Sequence, residues 1–270
     1  MPIHPTAIVD PRAEIDPTAE IGPYVVVDGP VRVGARSRLC AHVTVVGDTV
    51  IGAENVLYPG VHVGHEPQDL GYRGAPTGVR LGDRNVLREG ATVHRGTQPE
   101  THTELGSDVF LMANAHVAHN CRVGDHAIVA GGALLAGYVE VGERAFISGN
   151  CVVHQFVRVG RLALMRGLSR TSRDVPPFAL LDGTHEVRGV NRVGLRRAGF
   201  DAARIRAVGM AFRMLFRERQ NLRDAVDRVA RELGDVPEVA EVLAFIRASK
   251  RGVAVGPRSA SAGDDDETEG

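Results

Sequence analysis

Eleven histidines are spread over 270 residues, and several fall in short polar clusters: Thr92-Val93-His94, His116-Val117-Ala118-His119-Asn120-Cys121 and Val153-His154-Gln155. Imidazole titrates closest to neutral pH of any side chain, so such clusters suit proton transfer or metal ligation. An alcohol is a poor nucleophile until its proton is being removed, and a histidine base supplies that removal. His94, His116 and His119 would equally suffice for a zinc ion with water as fourth ligand, provided the fold makes them converge.

What positions these residues is a six-residue clock. Steps of six from Ile3 give Val9, Ile15, Ile21, Val27, Val33, Leu39, Val45, Ile51, Leu57 and Val63, then Leu81, Leu87 and Val93, then Leu105 through Val159 to Met165. All 25 positions are aliphatic or Met, and four residues after each the side chain is usually small or β-branched (Ala7, Ala13, Val25, Ser37, Ala127, Ala145). A period of six fits neither a helix nor a simple alternating strand. It fits a left-handed parallel β-helix, in which each hexapeptide is a short strand plus a turn and three close one triangular coil. Gly34, Gly52, Gly106, Gly124, Gly142 and Gly160 mark one corner at multiples of eighteen residues, which predicts a positive φ or a close approach there. Eight or so coils stacked at about 4.8 Å give a prism roughly 40 Å long, with the clock residues as its core.

The clock skips twice, around residues 65–78 and around 98–103. Loops extruded from a solenoid are where function concentrates. The domain reading is a β-helix over 1–177, a helical region over 178–252 and a disordered acidic tail over 253–270. In the second region Asp201 and Asn221 are placed to cap helices and Pro237 to begin a third, ending near Gly252.

Composition narrows the class. Glycine is 32 of 270 residues, tryptophan is absent and aromatics are 4 %, as a narrow aliphatic prism with many turns requires. A net charge of −1 argues against a chain built to bind nucleic acid or an anionic membrane surface. Cys40, Cys121 and Cys151 are too few for a disulfide framework. The longest uncharged apolar run is too short for stable membrane insertion, and no secretory signal is visible, so a cytoplasmic protein is expected. Between Arg158 and Arg197 nine arginines face three acids, a basic patch suited to an acidic protein partner.

The clock with a helical C-terminal cap resembles the hexapeptide-repeat acyltransferases. Gln68-Asp69-Leu70-Gly71-Tyr72, Gly82-Asp83-Arg84-Asn85, Thr92 to Thr97, His116 to Cys121, Val153-His154-Gln155-Phe156, Asp174 to Phe178 and Gly189-Val190-Asn191 with Gly194-Leu195-Arg196-Arg197 narrow it. Together, over residues 1 to about 250, they resemble the acyl-carrier-protein–UDP-N-acetylglucosamine O-acyltransferases that open lipid A biosynthesis. The resemblance implies transfer of an (R)-3-hydroxyacyl group from acyl carrier protein to the 3-hydroxyl of UDP-N-acetylglucosamine. It implies a homotrimer with sites between subunits, an acidic acyl carrier protein as partner, and neither metal nor cofactor.

Residue by residue, the resemblance makes His119 the general base and Gly137 the backbone donor to the oxyanion. It places substrate on Asp69, Gln68, His94, His116, Tyr138, His154, Gln155, Asn191 and Arg197, and the end of the acyl groove at Gly167, Met165 and His185. The chain departs from the family pattern at Asn120, where an acidic residue often follows the base, at Tyr138, where His is common, and at Gly71 and Val193. Two other readings stay open: a zinc hydratase resembling the γ-carbonic anhydrases on the same coil, though the His116–His119 gap is narrower than theirs, and a non-catalytic scaffold.

Overall fold

The computed structural model describes residues 3–218 and 221–256. Strands Ile8–Val9, Glu14–Ile15 and Glu20–Ile21 fall on three successive faces, and Val26–Asp28 returns to pair in parallel with the first of them. Repetition builds sheets of nine, eight and ten strands, called here the first, second and third faces. The molecule is a left-handed parallel β-helix carrying C-terminal helices.

The clock residues form its interior. From Ile21 to Met165 every one is buried, whereas Val9 and Ile15 are half-buried and Ile3 is 36 % exposed. The difference is the open end of the stack, where no coil lies beneath to cover them. Buried Ser37, Asn55 and Asn85 replace the small residue on one inner edge. Asn55 Oδ1 accepts from Asn85 N–H at 2.9 Å and Asn85 Oδ1 from Val109 N–H at 2.7 Å, so the polar atoms tie coils together.

The glycine corner lies between the second and third faces, and close approach is its cause. A Cβ on Gly34 would lie 2.6 Å from Gly52 C, and one on Gly142 2.5 Å from Arg161 N. None of these glycines has positive φ. The left-handed residues come two positions later and carry full side chains, as at Arg36, Glu54, Arg144 and Leu162.

The segment 178–252 does not begin as helix. Ala179–Asp182 and Glu186–Val190 form an antiparallel hairpin that extends the third face, with Leu180 beside Leu164. Alternating burial from Ala179 to Asp182 and the turn glycine Gly183, with φ of 70°, are its local signals. The helices are α1 (Arg192–Arg197), α2 (Ala202–Phe216), α3 (Leu222–Leu233) and α4 (Pro237–Arg247). Asp201 and Asn221 cap α2 and α3 as the sequence indicates. Helix α4 is tied to the coil by Arg161–Glu241, while Arg158, against its Phe245, also pairs with buried Asp174. Residues 253–256 are ordered: Val253 bridges Asp174 and Val255 bridges Glu186. The acidic run 264–267 lies outside the described residues.

Candidate active site

Both interruptions of the clock leave the prism at one corner, between the first and second faces. The chain runs from His62–His65 to Gly78–Leu81 through the longer excursion, and from Thr92–His94 to His102–Leu105 through the shorter. The following turns at this corner carry Ala118-His119-Asn120, Ala136-Gly137-Tyr138 and His154-Gln155-Phe156. The second excursion is 95–101, slightly earlier than the spacing indicated, because His102 and Thr103 already pair with Gly78 and Val79.

His119 points away from the prism interior, as its place in the hexapeptide requires, yet it is only 9 % exposed. The ring lies over the next coil: a Cβ on Gly137 would sit 2.5 Å from His119 Nε2. Tyr138 closes one side, edge-on with centroids 5.4 Å apart, and is itself stacked on Phe156 at 4.8 Å. Nδ1 of His119 lies 3.1 Å from Asn120 Oδ1. Gly137 N–H has no acceptor among the described residues.

Above His119 runs a column of imidazoles. His116 Nδ1 bonds Thr92 Oγ1 at 2.6 Å, and His94 meets the His116 ring edge-on at 5.0 Å. Burial, then the neighbouring His116, holds His94 down to about 4, and burial lowers His116 as well. His62 and His65 extend the column, both bonded to Thr44 Oγ1, at 2.7 and 2.9 Å. Their signal in the sequence is that His62 precedes its clock residue, Val63, as His116 precedes Val117. The zinc arrangement is not assembled at His94, His116 and His119. Among the described residues no three His, Cys, Asp or Glu side chains are grouped to hold a metal.

Gln68 and Asp69 are exposed in the first excursion, where Asp69 Oδ1 accepts from Gly71 N–H at 2.8 Å. Arg95 reaches over from the second excursion to Tyr72 Oη and Glu66. His154 and Gln155 are exposed one coil beyond Gly137, with Arg251 3.4 Å from His154 Nδ1. Outward positions of the first face change from Thr92 and His116 to Leu134 and Val152, 44 % and 45 % exposed.

Other expected site residues lie elsewhere. Met165 is wholly inside the prism, because it is a clock position, and cannot wall an external groove. Gly167 is exposed at the corner between the third and first faces. His185 packs on Thr171 and Ser172 from the hairpin turn. Asn191 is spent locally: its Oδ1 caps α1 by accepting from Gly194 N–H and its Nδ2 donates to Leu162 O, both at 2.9 Å. Arg197 is exposed at the end of α1. Neither belongs to the imidazole corner of its own chain. The basic patch is smaller than the sequence count, since Arg158, Arg161, Arg166 and Arg188 are paired with acids.

Comparison with known proteins agrees with this geometry. The family described as "Udp N-acetylglucosamine O-acyltransferase; Domain 2" matches residues 174–254, and "Bacterial transferase hexapeptide (six repeats)" matches 102–137. The chain is 42 % identical to an acyl-[acyl-carrier-protein]–UDP-N-acetylglucosamine O-acyltransferase of Thermodesulfovibrio yellowstonii, over 93 % of this chain and 98 % of that one. It is 44 % identical to the enzyme of the same name from Syntrophobacter fumaroxidans, over 94 % and 99 %. The solved UDP-N-acetylglucosamine acyltransferase of Bacteroides fragilis superposes with a TM-score of 0.90 at 35 % identity, covering 93 % of this chain and 99 % of that one. With the coil, the loop-bearing corner and near-full-length likeness in agreement, the chain belongs to the acyl-[acyl-carrier-protein]–UDP-N-acetylglucosamine O-acyltransferase family.

Proposed function

We propose that this chain transfers an (R)-3-hydroxyacyl group from acyl carrier protein to the 3-hydroxyl of UDP-N-acetylglucosamine, the reaction that opens lipid A biosynthesis. The observation that carries the mechanism is the His119 ring seated on Gly137 at the corner from which both excursions leave. His119 Nε2 takes the proton of the sugar hydroxyl as its oxygen attacks the thioester carbonyl carbon. The tetrahedral oxyanion is met by Gly137 N–H. Collapse breaks the carbon–sulfur bond, and the imidazolium returns the proton to the departing thiolate, leaving ester and free carrier thiol.

The neutral His94 and His116, with Gln68 and Asp69, supply polar contacts for the sugar, while His154, Gln155 and the Tyr138 ring flank the reacting end of the acyl group. Exposed Leu134 and Val152 carry the hydrocarbon along the first face towards Gly167. Asn191 and Arg197 serve a site only through a neighbouring subunit, which fits a homotrimer. The third face supports that assembly. Its outward row Phe110, Ile128, Phe146, Leu164 and Leu180 is apolar and half-buried, whereas the second face presents Arg80, Glu104, Arg122, Glu140 and Arg158. Arg173, Arg192, Arg196 and Arg197 lack acidic partners among the described residues and suit an acidic carrier protein. No described helix is long and apolar enough to cross a membrane; we place the reaction in the cytoplasm.

The test is incubation with UDP-N-acetylglucosamine and a panel of (R)-3-hydroxyacyl carrier proteins, with sedimentation of the same preparation. Ester formation by a trimer supports the reading. A monomer, or no transfer from any carrier, overturns it.

A further inference from the structure

We infer that excursion 95–101 locks the polarity of the amide beside the base, with Thr97 and Thr101 as positioning residues; this rests on His119 being that base. A carboxylate next to an imidazole accepts a hydrogen bond whichever way it is turned. A carboxamide does not. Asn120 can orient His119 for base chemistry only if its oxygen faces Nδ1, so that Nδ1 carries the ring proton and Nε2 is bare. Turned over, its NH2 group would favour a bare Nδ1 and place the proton on Nε2, where the alcohol's proton must go.

The hydrogen bonds around Asn120 admit one orientation. Thr97 backbone N–H, which can only donate, points at Oδ1 at 3.0 Å, and Thr97 O–H donates to the same atom at 2.9 Å. On the other side Asn120 Nδ2 donates to Thr101 Oγ1 at 2.8 Å. That oxygen must accept, because Thr101 O–H is committed to Gln98 C=O at 2.6 Å. Tyr138 O–H completes the set by donating to Thr97 Oγ1 at 2.9 Å. With both ends of the amide assigned by unambiguous partners, Nδ1 of His119, 3.1 Å from Oδ1, is the donor. Gly96 lets the excursion close on itself: a Cβ there would lie 2.6 Å from Thr101 O. The loop thus gives an amide the one-way character that a carboxylate has by nature.

The test combines kinetics with 15N spectra of histidine-labelled protein, which distinguish a protonated ring nitrogen from a bare one. Thr101→Val and Thr97→Val each remove one hydroxyl at nearly constant volume. Expected in Thr101→Val are mixed tautomers at His119 and a kcat reduced about 3- to 10-fold with KM for the UDP-sugar unchanged, both restored by Thr101→Ser; Thr97→Val, which keeps its backbone N–H on Oδ1, shows a smaller change of the same kind. In an Asn120→Asp background the ring stays protonated on Nδ1 and Thr101→Val causes no further loss. A single Nδ1–H tautomer in both Val variants overturns the proposal, as does an equal fall in kcat on adding Thr101→Val to the wild-type and to the Asn120→Asp background. Undiminished turnover in His119→Ala overturns the base assignment itself, a failure the spectra distinguish because they read the ring without turnover.

Discussion

At the corner between the third and first faces, Ala130-Gly131-Gly132 and Ser148-Gly149-Asn150 occupy the coil positions that Ala118-His119-Asn120 and Ala136-Gly137-Tyr138 occupy at the loop-bearing corner. The backbones match, with φ of 69° at Gly132 and 54° at Asn150 against 59° at Asn120 and 61° at Tyr138. What differs is what each central residue faces. A Cβ on Gly149 would meet Gly131 O at 3.3 Å, a mild crowding. On Gly137 it would enter the His119 ring; the remaining corner sets its glycine one place earlier in the turn, at Gly142, where a Cβ would lie 2.5 Å from Arg161 backbone nitrogen. One turn geometry therefore serves three ends: a neutral joint, a seat for an imidazole and a tight stacking edge. The proposed chemistry sits where the excursions supply partners, not where the backbone is unusual.

Substitution at these corners separates the three ends. His119→Ala should cost at least about 10²-fold in kcat with the melting temperature unchanged, measured by transfer assay and calorimetry. Gly137→Ala should cost about 10²-fold by displacing the ring, since misplacement near 1 Å has that effect; an alanine variant with normal turnover would remove the seat from the comparison. Gly142→Ala should instead lower stability by about 1–3 kcal/mol in denaturant while the folded fraction keeps its activity. Gly149→Ala should do neither, with a stability change within about 0.5 kcal/mol.

The imidazole column sharpens the contrast through pH. His94 is held at about 4 in the folded chain, against an ordinary value of 6.5. As pH falls, the unfolded chain takes up this proton before the folded one does. Stability from this group is therefore full above about pH 6.5 and is lost as pH drops towards about 4. His94→Gln should flatten that part of the melting-temperature profile. If wild type and variant decline in parallel, His94 is not the group responsible.

Much of this was legible along the chain because a hexapeptide solenoid writes its three-dimensional period into one dimension. The clock residues read as core, the skips at Val63–Leu81 and Val93–Leu105 read as excursions, and Asp201, Asn221 and Pro237 read as helix starts. The hairpin Ala179–Val190 does not show in the period, because it continues a sheet without keeping the clock. The resemblance sets Met165 at the end of an acyl groove, whereas its own clock position sets it inside the prism. The resemblance puts Asn191 on substrate, and what no spacing shows is that its amide also caps α1 and bonds the Leu162 carbonyl.

The amino-acid order alone determined the coil, its inward face and the corner where loops leave, since each follows from spacing that strand and turn geometry must obey. It also marked His119 as an imidazole outside the core. Only the tertiary structure decided that Thr97 and Thr101 bond the two ends of the Asn120 amide whose oxygen faces Nδ1 of that ring, that Gly137 is its seat, and that Asn191 and Arg197 lie away from it. Hydrogen-bond partners drawn from different coils have no fixed sequence separation, so no period along the chain can reveal them.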